Sequence, residues 1–338
     1  MKLKSHNLKL CSPDFNAKLL SSPSQNSSWQ MISRRNIRVK VMQTLYTTVT
    51  LETELKPGES QKILQKHFDQ TSDLFFYLTC FLIETAHYAE TDASLRAGKH
   101  LPSYDDLHVS TKIASNDVLK KIEHDPLLIQ QFSKYKPLQR IDRELVRKVY
   151  LSLSATPGYS KYIAKKERDK KEEKDILEFI LNDMMLANEI FQAHIEENFS
   201  NWDDDGEMVV QLLAAALQKP GSSNFNEMIT AEKADFAKGL LKTVLEKREH
   251  LQGFIIPKLK NWDPERIAML DMILMEMGVA EFLYFETIPP KVTINEYIDL
   301  AKEYSTQQSG HFVNGILDNI HKELVQQGKM HKVDFKKV

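Results

Sequence analysis

KVTINEYIDLAKEYSTQQSGHFVNGILDNI, residues 291 to 320, decides the fold. Its first half puts Ile294, Tyr297, Ile298 and Ala301 on one helical face, and Thr293 with Glu296 reads as a T-x-x-E capping box after the Pro289-Pro290 break. Its second half reads as a final helix opening at Ser309. There Phe312, Ile316, Ile320 and then Leu324 recur every fourth residue, with Val313 and Leu317 widening the stripe. Asn314-Gly315 interrupts the apolar repeat. Glycine costs ~1 kcal/mol relative to alanine inside a helix, so Gly315 is expected where another backbone comes close, with the Asn314 amide tied to a neighbouring loop.

Upstream, Asp263 is placed to cap a helix with Pro264 at its first position, where a missing N–H is harmless. The residues Asp235, Leu241, Glu249, Gln252, Ile255 and Asn261-Trp262-Asp263 echo Asp175, Leu181, Glu189, Gln192, Ile195 and Asn201-Trp202-Asp203 in the same apolar phase. That echo predicts one helical hairpin built twice. Towards the N-terminus, Ile37, Val41 and Leu45 step by four, and a second helix is expected over about 61–89 with Leu64, Phe68, Thr71, Leu74, Phe75, Leu78 and Leu82 in phase. Residues 97–115 read as a loop, and 138–153 as a helix stopped by Pro157-Gly158. Only 11 glycines and 12 prolines in 338 residues agree with an all-α chain of helical bundles.

The expected organisation is a disordered extension over 1–30, an arginine-rich arm and first helix over 31–55, an enlarged central helical region over 56–230, a helical bundle over 231–326 and a basic tail over 327–338. The Ser/Asn/Gln-rich stretch before residue 30 has no period, and Met31 directly before the first periodic segment reads as the natural start. Two cysteines, Cys11 and Cys80, supply neither a disulfide framework nor a zinc site, which fits a reducing cytoplasm. The longest apolar run, residues 74–83, is half the ~20 residues a bilayer span needs, so it reads as a buried helix and no membrane role follows. No GxxxxGK[ST], GxGxxG, GxSxG or HExxH pattern occurs, and Asp203-Asp204-Asp205 reads as an acidic helix start. The chain reads as a non-enzyme without cofactor or metal.

Net charge is only -2, but from Phe15 to Leu51 there is no acidic residue, while Arg34, Arg35, Arg38 and Lys40 lie within seven positions. Such a helix flank is either solvated or a polyanion contact. Single-stranded RNA is held by phosphate neutralisation and stacking on splayed bases. Four phosphate contacts predict a salt slope of about -2.8, or ~50-fold weaker binding between about 50 and 200 mM salt. The mixed-sign run KKERDKKEEKD at 165–175 reads instead as a solvated helical face.

Two motifs taken together, RRNIRVKVMQTLY at 34–46 and NWDPERI through IPPKVTINEYIDLAKEYSTQQSGHFVNGILD at 261–318, resemble the two ends of the bacterial transcription antitermination NusB family. INE, the following LAK and FVNGILD stand in the family's order. The resemblance covers roughly 31–50 and 231–326, with an extra central segment between. It implies a NusB-like all-α fold that binds boxA-type single-stranded RNA of ribosomal RNA transcripts. That binding is shared with the ribosomal protein NusE, and the pair joins other Nus factors on RNA polymerase. It implies RNA contacts at Arg34, Arg35, Arg38, Lys40, Gln308, Ser309, His311 and Phe312, and partner contacts at Tyr46, Glu265 and Asp271. On spacing alone Phe312 reads as core. Glu276 stands where relatives carry arginine in LRxAxYE, and His311 where lysine is frequent. Two rival readings are a protein-interaction scaffold with decayed RNA binding and a domain related to RNA cytosine methyltransferases. The latter need a cofactor domain for which the sequence shows no glycine-rich loop.

Overall fold

The computed structural model describes residues 32–51, 56–221, 224–225, 227–259 and 267–333. Among them every regular element is helical. In chain order the α-helices are α1 (Arg34–Thr50), α2 (Glu59–Ala97), α3 (Tyr104–Leu107), α4 (Asp117–Glu123), α5 (Pro126–Tyr135), α6 (Arg143–Ser154), α7 (Pro157–Ala164) and α8 (Lys170–Phe179). They continue with α9 (Glu189–Asn198), α10 (Trp202–Gln218), α11 (Ala231–Glu246), α12 (Arg248–Ile255), α13 (Met269–Tyr284), α14 (Pro290–Tyr304) and α15 (Gln307–Gln326). A π-helical turn, Ile180–Leu186, follows α8. No described helix is long and apolar enough to cross a membrane.

The chain divides into two compact units. One contains residues 70–228 and the other 32–69 and 229–338, so the division falls inside α2. In the 70–228 unit, α2 is buried nearly all round from Leu74 to Ile83, because aromatic side chains on several of its faces each find a partner. Phe76 stacks on Tyr135 at 5.3 Å, Tyr77 meets Phe199 at 4.9 Å and Phe81 meets Phe191 edge-on at 4.7 Å. Helix α2 runs beyond the expected 61–89 at both ends, since nothing between Glu59 and Ala97 breaks it.

The other unit is organised on α13, whose residues Ile273 to Phe282 are all buried against α1, α11, α12, α14 and α15. Gly278 allows the close approach of α15: a β-carbon there would lie 2.9 Å from Leu317 Cδ2. The buried stripe of α15 is Val313, Leu317, Ile320 and Leu324 with Ile316, and Phe312 sits half-buried at its margin.

Several local expectations are overturned. Thr293 and Glu296 do not form a capping box: α14 starts at Pro290, and both side chains reach into a buried network described below. Pro157 does not merely stop a helix but opens α7 at its first position behind a Thr156 cap. The 97–115 loop contains the short helix α3 and a 3-10 turn at Lys112–Ser115. Glu173 in the mixed-charge run is buried rather than solvated, accepting from Tyr162 Oη at 2.8 Å, Arg168 at 2.9 Å and the Asp117 N–H at 2.8 Å. A β-carbon on Gly315 would meet nothing within 4 Å and Asn314 is exposed, so no helix approaches there. The echoed spans share a helix, a break and a second helix, at α8–α9 and α11–α12, while the second Asn-Trp-Asp and the Asp263 cap lie outside the described residues.

Candidate nucleic-acid interface

Helix α1 begins where Ser33 Oγ accepts the Asn36 N–H at 3.2 Å, and the chain just before it is held by Lys233 Nζ donating to the Ile32 carbonyl at 2.8 Å. Ile37, Val41 and Leu45 are buried, as their four-residue step requires. The arginines on its flanks then separate into two environments.

Arg38 is 2% exposed. Its Nε donates to Glu281 Oε1 at 2.7 Å and its Nη2 to Glu281 Oε2 at 3.1 Å, while Nη1 reaches Glu296 Oε2 at 3.3 Å. Glu281 also accepts from Thr293 Oγ1 at 2.8 Å and from Tyr297 Oη at 2.7 Å. A fully buried carboxylate is tolerable only when its lone pairs are satisfied, and this one accepts four hydrogen bonds. Burial by itself favours the neutral guanidinium, but the Glu281 carboxylate outweighs it and holds the Arg38 proton more firmly than usual. Burial and Glu281 likewise raise the Tyr297 phenol well above its ordinary range. The network ties α1, α13 and α14 together. Behind it, Lys332 Nζ donates to the Glu281 and Phe285 carbonyls at 2.7 Å each, at the C-terminal end of α13, where cations are favoured. Burial brings that amine down to about 8.

Arg34 and Arg35 face outward. Arg34 Nη2 donates to Glu232 on α11 and Arg35 Nη2 to Glu303 on α14, each at 2.6 Å. The guanidiniums of Arg34 and Arg38 lie 5.8 and 5.6 Å from the Phe236 ring centre, so this aromatic helps aim both. The Arg35–Glu303 contact brings the arm to the last turn of α14, from which a two-residue connection leads into α15. There Thr306 Oγ1 accepts the Ser309 N–H at 3.1 Å, so the helix starts two residues before Ser309. Gln308 and His311 are exposed. Ser309 is buried and donates to Asp271 Oδ2 at 2.8 Å. Gly310 is buried under the stem of Lys302, whose Cγ would lie 2.5 Å from a β-carbon.

Of the RNA residues read from sequence, Arg34, Arg35, Gln308 and His311 thus present polar groups to solvent. Arg38, Lys40 and Ser309 are buried, and Phe312 is half-buried. Lys40 is 1% exposed because it shares the turn of α1 that packs inward beside Val39 and Val41. Among the partner residues, Tyr46 is half-buried on α1, Asp271 is buried beneath the α15 entry, and Glu265 lies outside the described residues. Sequence reasoning missed Glu281, Glu232 and Glu303. Glu281 did have a signal, since with Glu276 at the arginine of LRxAxYE it falls on that motif's final glutamate, but residue order does not tell which carboxylate meets which arginine. Glu276 finds its own replacement partners: Arg248 Nε donates to it at 3.1 Å and Gln252 Nε2 at 2.7 Å.

Residues 190–322 match the model of the NusB family. The chain is 41% identical over 98 residues to the transcription antitermination protein NusB of Chloroherpeton thalassium, covering 29% of this chain and 46% of that one. It is 43% identical over 98 residues to the NusB of Salinibacter ruber, 29% of this chain and 61% of that one. It is 45% identical over 83 residues to that of Methylacidiphilum infernorum, 25% of this chain and 58% of that one. The chain therefore spans about half the length of the curated relatives it matches. No solved structure matches it.

Proposed function

We propose that this chain, which carries a NusB-family segment over residues 190–322, is a non-enzymatic, cytoplasmic RNA-binding factor of transcription antitermination. It binds boxA-type single-stranded RNA of ribosomal RNA transcripts together with the ribosomal protein NusE, and so supports the other Nus factors on RNA polymerase. The observation that carries this reading is the division of the arm. Buried Arg38 locks α1 in place while Arg34 and Arg35 stay at the surface, with Arg35 tied to the end of α14 that leads into α15. In this assignment Arg34 and Arg35 take phosphates. Gln308 offers amide hydrogen bonds to a base or phosphate, and His311 adds a ring N–H donor. Arg38, Lys40, Ser309 and Phe312 act from beneath that surface by holding α1 and α15. Tyr46 and Glu265 are assigned to the protein partner, and Asp271 to fixing the α15 entry.

The test is binding of a boxA-type RNA oligonucleotide to the full chain, with and without the ribosomal partner, for wild type and Arg34→Ala/Arg35→Ala. The variant is expected to bind at least about tenfold more weakly, with a salt slope shallower by up to about 1.4, since each lost phosphate contact removes about 0.7. Equal affinity in both proteins sinks the RNA reading and favours the scaffold.

A further inference from the structure

Resting on the RNA-binding reading above, we infer that Glu232 and Glu303 are exchangeable placeholders for RNA phosphate, and that these two carboxylates set how tightly and how selectively the arm binds. Each accepts from Nη2 of an outward arginine at 2.6 Å through one carboxylate oxygen. The geometry therefore marks where an anionic oxygen is accepted, and the guanidinium is already oriented to present it. The carboxylates come from different helices, α11 and α14, so the arm is pinned at two separate points.

What distinguishes these pairs from Arg38–Glu281 is the ease of leaving. The Glu232 side chain is 78% exposed and that of Glu303 45% exposed, against 0% for Glu281. A displaced Glu232 or Glu303 moves into water and keeps its hydration, whereas Glu281 has nowhere to go. Exposed ion pairs contribute little net stability, while a phosphate brings two or more charge-assisted acceptors to the same fork. RNA wins the exchange only where a phosphate is presented to both arginines at once. A polyanion that reaches one of them merely competes with the carboxylate already there.

The exchange also lowers the salt dependence. In the free protein each outward arginine is partly neutralised by its own carboxylate, so fewer counterions are released when RNA arrives. Removing the two negative charges restores full release, which brings each arginine's contribution to the slope up to a total of about 0.7.

The experiment titrates a single-stranded boxA-type RNA oligonucleotide into the full chain between 50 and 200 mM KCl, using wild type, Glu232→Gln/Glu303→Gln, Arg34→Ala/Arg35→Ala and the fourfold combination. The double glutamine variant is expected to bind about three- to tenfold tighter, the factor that two exposed ion pairs are worth, with a slope steeper by up to about 1.4. In the alanine background the same glutamine changes are expected to do nothing. Unchanged or weaker binding by the glutamine variant, while the alanine variant loses affinity, overturns the inference and makes the carboxylates orienting groups only. A gain that persists without the arginines overturns it as well, because the effect is then one of overall charge. Wild-type affinity in the alanine variant defeats the RNA reading itself.

Discussion

Phe81 in one unit and Arg38 in the other are both buried, and they hold their surroundings by different means. Phe81 lies 4.7 Å from Phe191 along an aromatic face of α2, in a region where removal of apolar area from water and edge-on ring contacts supply the stability. Arg38 supplies a charge whose removal from water is offset only because Glu281 meets it bidentately while Thr293 and Tyr297 fill the remaining acceptor sites. Aromatic packing tolerates imprecision, since every ring face is a partner. The ion network does not, since a single missing group leaves a bare charge. The unit with the outward-facing arginines is thus the one whose first helix is held by directional bonds.

The largest expected effect in breaking this contrast is Arg38→Ala, which leaves Glu281 buried and uncompensated and is predicted to lower unfolding free energy by roughly 3–5 kcal/mol in urea titrations. Arg38→Met/Glu281→Leu, which removes both charges, is expected to recover part of that loss; no recovery would mean the charges are not the cause. Phe81→Ala is expected to lose a comparable ~3–5 kcal/mol through its cavity.

A smaller pair of changes separates two glycines of the Arg38-containing unit. Gly278→Ala pushes a β-carbon to 2.9 Å from Leu317 Cδ2 and is expected to cost about 1–3 kcal/mol. Gly315→Ala meets nothing and is expected to stabilise α15 by up to ~1 kcal/mol. Thermal melts giving the same sign for both would refute the packing described for α13 and α15.

The smallest effect concerns His87, on α2 in the aromatic unit. Its hydrogen bond to Glu123 raises its pKa above the ordinary 6.5, against an opposing contribution from burial. Protonated His87 therefore stabilises the fold fully below pH 6.5, and that contribution fades as pH climbs through the raised value. With His87 37% exposed, the pair is screened, and the difference between wild type and His87→Ala in melting temperature is expected to be under about 3 °C at pH 5.5 and to vanish at alkaline pH. A difference that does not change with pH would sink this assignment.

Much of the fold was legible. The step of four through Ile37, Val41 and Leu45 and the stripe running to Leu324 became buried faces, because helical periodicity records directly which side must leave water. Local chemistry was less reliable. Thr293 and Glu296 have the spacing of a capping box, yet a proline three residues earlier had already started the helix, and both side chains found stronger partners in Glu281 and Arg38. Gly315 drew attention as a breaker in an apolar run, whereas the glycine under real steric demand is Gly278, on a helix so apolar that its sequence singles out no face.

The candidate site divides along the same line. That a basic helix flank exists was carried by residue types alone, and that it belongs with the segment around residues 308–312 was implied by the family resemblance. Which of its arginines is available was not, because Arg34 and Arg38 are one turn apart and chemically identical. Their difference is made by Glu281, 243 positions away from Arg38 and buried, and by Glu232, 198 positions from Arg34 and in water. Periodicity is a property of neighbours along the chain, so the sequence by itself determined the amphipathic helices and their inward faces. The partner of each charge is a property of neighbours in space, so only the tertiary structure decided which arginine holds the helix and which two are left at the surface.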